Sequence, residues 1–167
     1  HTASIESIGY QCSSTSCRSK SHYRLSHSQG QTSARLSFDR DRDSFVEFIK
    51  ESIDFVFCNE EEIMALSKKE TAEEAFDYFK KEFPNLEELV CTLGPKGAVV
   101  VSKGEKVHYD ATEAKVVDKT GAGDYFAAGY LYGLQQKLSI EESADIANRS
   151  AAHVISEVGV RPTKNFS

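Results

Sequence analysis

The stretch VVDKTGAGDYFAAGYLYGL, residues 116–134, decides the fold of this chain. It starts with a β-branched run, turns at two glycines and continues as an apolar helix, which we predict from near Gly121 to about Gln136. Gly121 and Gly123 let the backbone approach a ligand closely. The first N–H groups of a helix have no partner within it, and together with the helix dipole they attract anions. We therefore predict that residues 121–123 hold a phosphoryl group.

Asp124 directly follows the second of these glycines. A carboxylate beside an anion site is repelled by phosphate, which favours a chemical role for it. The obvious role is a general base that accepts the proton of an attacking hydroxyl. Alternatively, Asp124 only stabilises the positive N-terminal end of the helix dipole. The short motif by itself leaves both interpretations open.

Two common phosphate-binding motifs do not fit this stretch. The dinucleotide-binding fingerprint needs glycine at its sixth position, and counting from Gly121 that position is Phe126. The P-loop ends in Gly-Lys-Ser or Gly-Lys-Thr, which occurs nowhere in the chain. The sequence therefore indicates a phosphate site of another type.

The composition bounds the kind of protein. The chain has 167 residues and a net charge of −6, which argues against nucleic acid or an anionic membrane as its main partner. No apolar run is long enough to span a bilayer, and the chain starts without Met or the pattern of a signal peptide. Cys58 and Cys91 lie in apolar runs and are expected to be buried thiols. We expect a processed or truncated cytoplasmic protein, and the sequence does not indicate its oligomeric state.

Residues 1–35 differ in composition from the rest of the chain. They are rich in Ser, Thr, Gln, His and Arg, and their few apolar residues follow no sustained period. We expect a low-complexity segment that is disordered or non-native. In residues 36–167 strand and helix patterns alternate, which predicts an α/β sheet with helices on its faces.

Local patterns place the elements of that domain. Apolar residues at helical spacing predict a helix near residues 45–53, and the run IDFVFC at residues 53–58 predicts a buried strand. Capping residues followed by acids predict helix starts at Asn59, Thr71 and Ser139. The other predicted strands are residues 89–93, 97–102, 105–109 and 115–117.

The stretch from Asp118 to Asp124 resembles the signature of the ribokinase-like, or PfkB, carbohydrate and nucleoside kinases. That signature reads Asp-Thr-x-Gly-Ala-Gly-Asp, and Lys119 stands where Thr is usual. Three more segments resemble elements of the family in the same order, and the run FDRDRDSFVEFI resembles its adenosine-kinase-like branch. The three segments are FCNEEE at residues 57–62, VCTLGPKGAVV at residues 90–100 and IANRSAAHVISEVGVRP at residues 146–162.

The resemblance implies a fold, cofactors and roles for individual residues. The fold is a ribokinase-like three-layer α/β/α sandwich, of which this chain has the C-terminal, nucleotide-binding part. The cofactors are ATP and Mg²⁺, and the substrate is a nucleoside or sugar, with adenosine slightly favoured. Asp124 is implied as the catalytic base, and the metal is implied near Glu62, through water, with Asp118 as a second and weaker candidate. The implied phosphate hole is Thr120, Gly121, Ala122 and Gly123, and the implied nucleotide-binding residues are Asn59, Thr92, Gly94, Gly97 and Asn148.

Several of these residues have a plain structural alternative. Glu62 lies one helical turn after Asn59 and can hold a water of hydrated Mg²⁺, but Asn59 can also simply cap a helix with solvated acids. Thr92 and Gly94 end a buried strand at the edge where ligands bind open α/β sheets, or they form a plain hairpin. Asn148 can bond the edge of a base, or it can face solvent.

No acceptor-binding half of such a kinase is visible in the sequence. Two hypotheses therefore remain. The chain is a kinase or the C-terminal portion of one, or it is a non-catalytic remnant that binds nucleotide or a partner chain only.

Overall fold

A mixed sheet of six strands forms the middle layer of the molecule. The structure is a computed structural model that describes residues 24–28, 31–35 and 42–159, the first two ranges by their backbone alone. The strands are neighbours in chain order, with β2, β3 and β4 parallel and the other pairs antiparallel. They are β1 (Arg24–Ser28), β2 (Gln31–Arg35), β3 (Phe55–Asn59), β4 (Glu88–Thr92), β5 (Ala98–Ser102) and β6 (Glu105–Tyr109).

Helices cover both faces of this sheet, which confirms the predicted ribokinase-like α/β/α arrangement. One face packs against α1 (Arg42–Ser52), α2 (Glu60–Ser67) and α3 (Ala72–Glu82). The other face packs against α4 (Ala122–Gln135) and α5 (Ile140–Ile155). No helix within residues 42–159 is long and apolar enough to cross a bilayer.

The central strands β3 and β4 are apolar except at Asn59, Glu88 and Thr92 at their ends, as expected for strands that helices cover on both sides. Phe57 and Val90 pack toward α4 and α5, where Phe126 and Tyr130 meet them. Alternate residues of the same strands, Cys58 among them, pack toward α1, α2 and α3. Both described cysteines, Cys58 and Cys91, are buried free thiols, as predicted.

Capping interactions start three helices where the sequence predicts them. Asn59 and Glu62 form a reciprocal capping box at α2, and Ser139 forms one with Glu142 at α5. Thr71 accepts a hydrogen bond from the backbone of Glu74, whose carboxylate meets the Thr71 hydroxyl rather than its backbone. Each cap satisfies N–H groups that have no partner inside the helix.

Helices α4 and α5 lie against each other through small residues. A β-carbon at Gly129 would lie 3.0 Å from Cα of Ala147, and one at Gly133 would lie 2.7 Å from Cα of Ser143. The Ser143 hydroxyl is buried in this contact and has no hydrogen-bond partner among the described residues. The glycines therefore set the distance between the two helices.

Two predictions about the ends of the sheet are wrong. Residues 24–28 and 31–35 form strands, and β2 pairs in parallel with β3, so the sheet begins inside the segment expected to be disordered or non-native. Residues 1–23 lie outside the described part of the chain. Residues 115–117 are not a strand, because the run bonds to the end of α5 instead of to the sheet, with Val117 N–H donating to the carbonyl oxygen of Ile155 at 2.7 Å. Val116 and Val117 instead stay about half exposed, at 52% and 50%.

Gly133→Ala tests the close contact between α4 and α5. Alanine favours a helix over glycine by about 1 kcal/mol, but the added β-carbon meets Ser143 at 2.5 Å from its hydroxyl oxygen. We expect overpacking to dominate and to lower the free energy of unfolding by about 1–3 kcal/mol, measured by urea denaturation. Ala128→Gly, at an exposed position of the same helix, is the control and measures the difference in helix propensity between alanine and glycine without a change in packing. A Gly133→Ala protein as stable as wild type would contradict the contact.

Glu88→Gln tests a buried carboxyl at the start of β4. The Tyr130 hydroxyl donates to Glu88 Oε2 at 2.6 Å, and burial raises the pKa of the Glu88 carboxyl although this hydrogen bond opposes the shift. The stability that the protonated form contributes is complete below the ordinary pKa of 4.5 and is lost as pH rises through the raised pKa. Glu88→Gln should therefore gain more stability over wild type at pH 7 than at pH 4, measured by urea midpoints. Glu105→Gln, at an exposed position, is the control, and an equal effect of Glu88→Gln at both pH values would refute the prediction.

Candidate active site

Asn59 and Thr92 lie side by side at one edge of the sheet. They are the last residues of the parallel strands β3 and β4 and are partners in the register. The Thr92 hydroxyl donates to the carbonyl oxygen of Cys58 at 3.4 Å, which ties the two strand ends together. Both residues are only half-buried, so this edge is accessible.

Glu62 is held at the same edge by its own helix start. Its Oε2 accepts a hydrogen bond from the Asn59 N–H at 2.8 Å, and its N–H donates to Asn59 Oδ1 at 2.8 Å. Burial raises the pKa of the Cys58 thiol, and Cys91 and the Glu62 carboxylate add to that shift. Capping is therefore one function of Asn59 and Glu62, and a metal-binding function of Glu62 stays a prediction.

The turn between β4 and β5, residues 94–97, uses its two glycines differently. It contains a short 3₁₀ helix (Gly94–Lys96) and closes through hydrogen bonds from Leu93 N–H to Gly97 O at 2.8 Å and from Gly97 N–H to Gly94 O at 3.1 Å. At Gly97 a β-carbon would lie 2.0 Å from the carbonyl oxygen of Tyr109. At Gly94, where φ is +61°, it would meet nothing within 4 Å. Packing thus explains Gly97, and Gly94 is the glycine that faces open space.

Asp118 anchors the loop that leads into α4. Its Oδ1 accepts hydrogen bonds from the Thr120 N–H at 2.9 Å and from the Thr120 hydroxyl at 2.7 Å, and its Oδ2 accepts one from the Gly159 N–H at 3.1 Å. The N–H groups of Val117 and Asp118 also donate to the carbonyl oxygen of Ile155. The Thr120 donors, followed by the Gly159 donor, lower the pKa of the Asp118 carboxyl. This anchoring function is not the metal-binding one predicted for Asp118.

The helix start has fewer unbonded donors than the predicted phosphate hole requires. Gly121 takes the left-handed conformation with φ of +82°, and Ala122 N–H donates to Lys119 O at 3.2 Å. Both Thr120 donors, its N–H and its hydroxyl, bond to the Asp118 carboxylate. The N–H groups of Gly121 and Gly123 have no acceptor within the described residues. Of the predicted phosphate hole, these two donors remain available to an anion.

The direction of α4 brings these two N–H groups toward the sheet edge at which β3 and β4 end. Tyr130 reaches Glu88, the first residue of β4, and Phe126, one turn earlier, is buried against the middle of the sheet. The helix therefore runs antiparallel to β4, and its first turn lies toward the edge where β3 and β4 end. Asp124 is the third residue of α4 and its side chain is exposed there.

Asn148 is buried in the middle of α5, with only 7% of its surface exposed. It lies on the same helical stripe as the buried residues Ala144 and Ala147. The alternative that Asn148 faces solvent is therefore wrong. Its predicted contact with a nucleotide base is not tested by this placement.

One contact at the site has no counterpart in the sequence patterns. The Nε2 atom of His108, on β6, lies 2.7 Å from the carbonyl oxygen of Lys96 in the 94–97 turn. No local motif predicts it, because the pairing depends on how β6 folds back on β5. The part of the chain that the structure describes contains no cluster of three or more His, Cys, Asp or Glu side chains that could hold a metal ion by itself.

Asp118→Ala tests the anchor of the phosphate loop, residues 118–121, which leads into α4. We expect faster hydrogen exchange at the Thr120 and Gly159 amides at neutral pH, measured by NMR, because both lose their acceptor. Since the pKa of Asp118 is lowered, the wild-type anchor should persist as pH falls past the ordinary value of 3.8 and be lost only as pH passes the lowered pKa. Asp110→Ala, at a residue 99% exposed, should leave both amides unchanged. Unchanged exchange in Asp118→Ala would show that the loop is held by other contacts.

Curated and solved kinases resemble parts of this chain. A ribokinase of Lactococcus lactis is 38% identical over 96 residues, which cover 57% of this chain and 30% of the relative. A nucleoside kinase of Methanocaldococcus jannaschii is 31% identical over 112 residues, which cover 66% of this chain and 35% of the relative. The crystal structure of adenosine kinase from Sinorhizobium meliloti matches with a TM-score of 0.70 and 35% identity, over 75% of this chain and 38% of that protein.

These matches cover only part of each relative. The chain spans about a third of the curated relatives, at 30% and 35% of their length. The model of the pfkB family carbohydrate kinases matches residues 22–165, which is most of the sequence and includes strands β1 and β2. This chain belongs to the pfkB family of carbohydrate kinases.

Proposed function

We propose that the chain is the C-terminal, nucleotide-binding portion of an ATP-dependent kinase that phosphorylates a hydroxymethyl group of a nucleoside or sugar. The observation that carries the proposal is the start of α4. There the N–H groups of Gly121 and Gly123 have no acceptor in the described structure, and Asp124 lies in the same helical turn. The ends of β3 and β4 lie at the same sheet edge, where open α/β sheets bind ligands.

Gly121 and Gly123 stabilise the negative charge of the transferred group. In phosphoryl transfer that charge is spread over the equatorial oxygens, and fixed donors aimed at them lower the barrier. The N-terminal end of the α4 dipole has the same effect. Because Asp118 holds the loop, these donors need little reorganisation when the phosphate arrives.

Asp124 acts as the general base of the reaction. The acceptor hydroxyl oxygen bonds to the γ-phosphorus as the bond from that phosphorus to the leaving ADP oxygen breaks. The hydroxyl proton passes to the Asp124 carboxylate. The Asp124 side chain is exposed, which supports access for an acceptor hydroxyl.

The described residues fit an ATP-Mg²⁺ ligand at this edge. Gly94 borders open space, so the planar or phosphate part of a nucleotide can approach the turn closely. Glu62 is half-buried and fixed by Asn59, which suits it to bond a water of a hydrated cation. When bound, Mg²⁺ neutralises phosphate charge. Thr92 ties the β3 and β4 ends together beneath the ligand, and Asn148 is the candidate for recognition of the base.

Adenosine is the acceptor that we favour slightly. The run FDRDRDSFVEFI resembles the adenosine-kinase-like branch, and the similarity to adenosine kinase from Sinorhizobium meliloti supports a nucleoside. The similarity to a ribokinase supports a sugar instead. Assays with adenosine, ribose and fructose as acceptors separate these substrates. The buried free thiols support a reducing, cytoplasmic setting.

A second candidate function is a non-catalytic remnant that binds nucleotide or a partner chain. The observation that favours it is the reduced number of donors at the start of α4, because both Thr120 donors are bonded to Asp118. A remnant should bind ATP and transfer phosphate to none of the acceptors. A longer product of the same gene that transfers phosphate, while this chain alone does not, would assign catalysis to the complete protein.

Asp124→Asn tests the base in whichever form of the protein transfers phosphate. We expect kcat to fall by about 10²–10⁴-fold with little change in nucleotide affinity, because the amide cannot accept the proton. The assay is ADP release with the preferred acceptor, and Asp77→Asn, at an exposed carboxylate on α3, is the matched control. Unchanged kcat in Asp124→Asn would leave this carboxylate only its interaction with the helix dipole.

A further inference from the structure

The 94–97 turn has one side packed against β6 and one side open. The packed side is Gly97, whose missing side chain leaves room for the carbonyl of Tyr109. The open side is Gly94, which borders free space. Whatever holds the packed side therefore also sets the position of the open side, where the proposed nucleotide would lie.

His108 is the side chain that reaches the packed side. Its Nε2 atom lies 2.7 Å from the Lys96 carbonyl oxygen. A carbonyl oxygen only accepts, so the hydrogen belongs to Nε2 and the ring donates. The other ring nitrogen, Nδ1, lies 3.6 Å from Oδ1 of Asp110, and the two form an ion pair only when the ring is protonated.

The bond from His108 fixes one peptide plane of the turn. The Lys96 carbonyl and the Gly97 N–H belong to the same peptide group, which is planar. That N–H donates to Gly94 O at 3.1 Å. A restraint on the Lys96 carbonyl is thus passed through one rigid group and one hydrogen bond to Gly94.

We propose that His108 is a positioning residue that holds the 94–97 turn in the conformation that presents Gly94 to the nucleotide. The role rests on the proposed function for its ligand, but the anchor itself is a property of the free chain. His108 does not touch the reacting groups and acts only through Lys96 and Gly97. It lies on the edge strand β6 and is partly exposed, so its replacement does not open the core.

Hydrogen exchange tests the anchor without any ligand. The Lys96 and Gly97 amides donate within the turn and report on its opening. In His108→Leu, which cannot donate, we expect them to exchange about fivefold faster, the effect of one net hydrogen bond. His108→Gln keeps a donor near the Nε2 position and should restore slow exchange. Glu105→Leu, the same replacement at an exposed position of β6, should match wild type.

The exchange rates of wild type and the His108 variants decide whether the anchor exists. Equal exchange in wild type and His108→Leu would overturn the anchor, and so would His108→Gln behaving like His108→Leu. Should His108→Leu not fold, the wild-type ring decides by NMR. A neutral ring with its proton on Nδ1 refutes the donor, and a proton on Nε2 supports it.

Titration with ADP and Mg²⁺ then tests the link to the ligand. We expect His108→Leu to bind about fivefold more weakly than wild type, with His108→Gln near wild type. Faster exchange in His108→Leu with unchanged affinity would overturn the link between turn and nucleotide. A wild-type chain that binds no nucleotide would count against the proposed function, and the exchange data would still decide the anchor.

Discussion

The parallel pairing of β3 with β4 is the constraint on which the rest of the structure depends. It aligns Asn59 with Thr92, so a capping residue and a strand-end hydroxyl meet at one edge of the sheet. The pairing is stable only if both faces are covered, because the alternating side chains of both strands are apolar. Helix α2 on one face therefore starts beside the site. On the other face, the phosphate loop that precedes α4 lies toward the same edge.

Helix α4 packs against the sheet on one side and against α5 on the other, and the two contacts need residues of different size. Phe126 and Tyr130 are large and fill the space above the sheet, whereas Gly129 and Gly133 are small and admit α5. Helix α5 in turn supports the phosphate loop, since the Ile155 carbonyl receives two loop N–H groups. The loop is thus held at both ends, by its own helix and by the end of the next one. That rigidity supports a site that stabilises charge without reorganising.

Local chemistry explains which features could be predicted from the sequence. The start of α2 at Asn59 and of α5 at Ser139 follows from residues three positions apart, and the structure confirms both. The apolar runs of β3 and β4 also follow from a local pattern. The run at 115–117 failed because β propensity depends on context, and Val117 N–H bonds to the carbonyl oxygen of Ile155 at the end of α5 rather than to a strand. Strand β2 was missed because its polar sequence carries no strand pattern and its pairing to β3 is non-local.

In the candidate site, too, local features could be predicted from the sequence and contacts between distant residues could not. Gly121, Gly123 and Asp124 form a local motif, and their order predicts a helix start beside an acid. The contacts of Asp118 with Gly159 and of His108 with Lys96 join residues far apart in sequence, and no motif contains them. Gly97 was assigned to ligand binding on its position in a resembling segment, whereas its packing against Tyr109 already requires glycine. Sequence therefore predicts the chemical groups better than it predicts what holds them.

A calorimetric titration with a non-hydrolysable ATP analogue and Mg²⁺ tests the central claim, that the start of α4 binds phosphate. The comparison is between wild type, Gly123→Ala and Gly123→Pro, because proline is tolerated in a first helical turn and removes the N–H, and alanine controls for the added β-carbon. The account predicts saturable one-to-one binding by wild type that Gly123→Pro weakens by at least about tenfold relative to Gly123→Ala. Equal affinity of the two variants, or no heat from wild type at millimolar nucleotide, would contradict it.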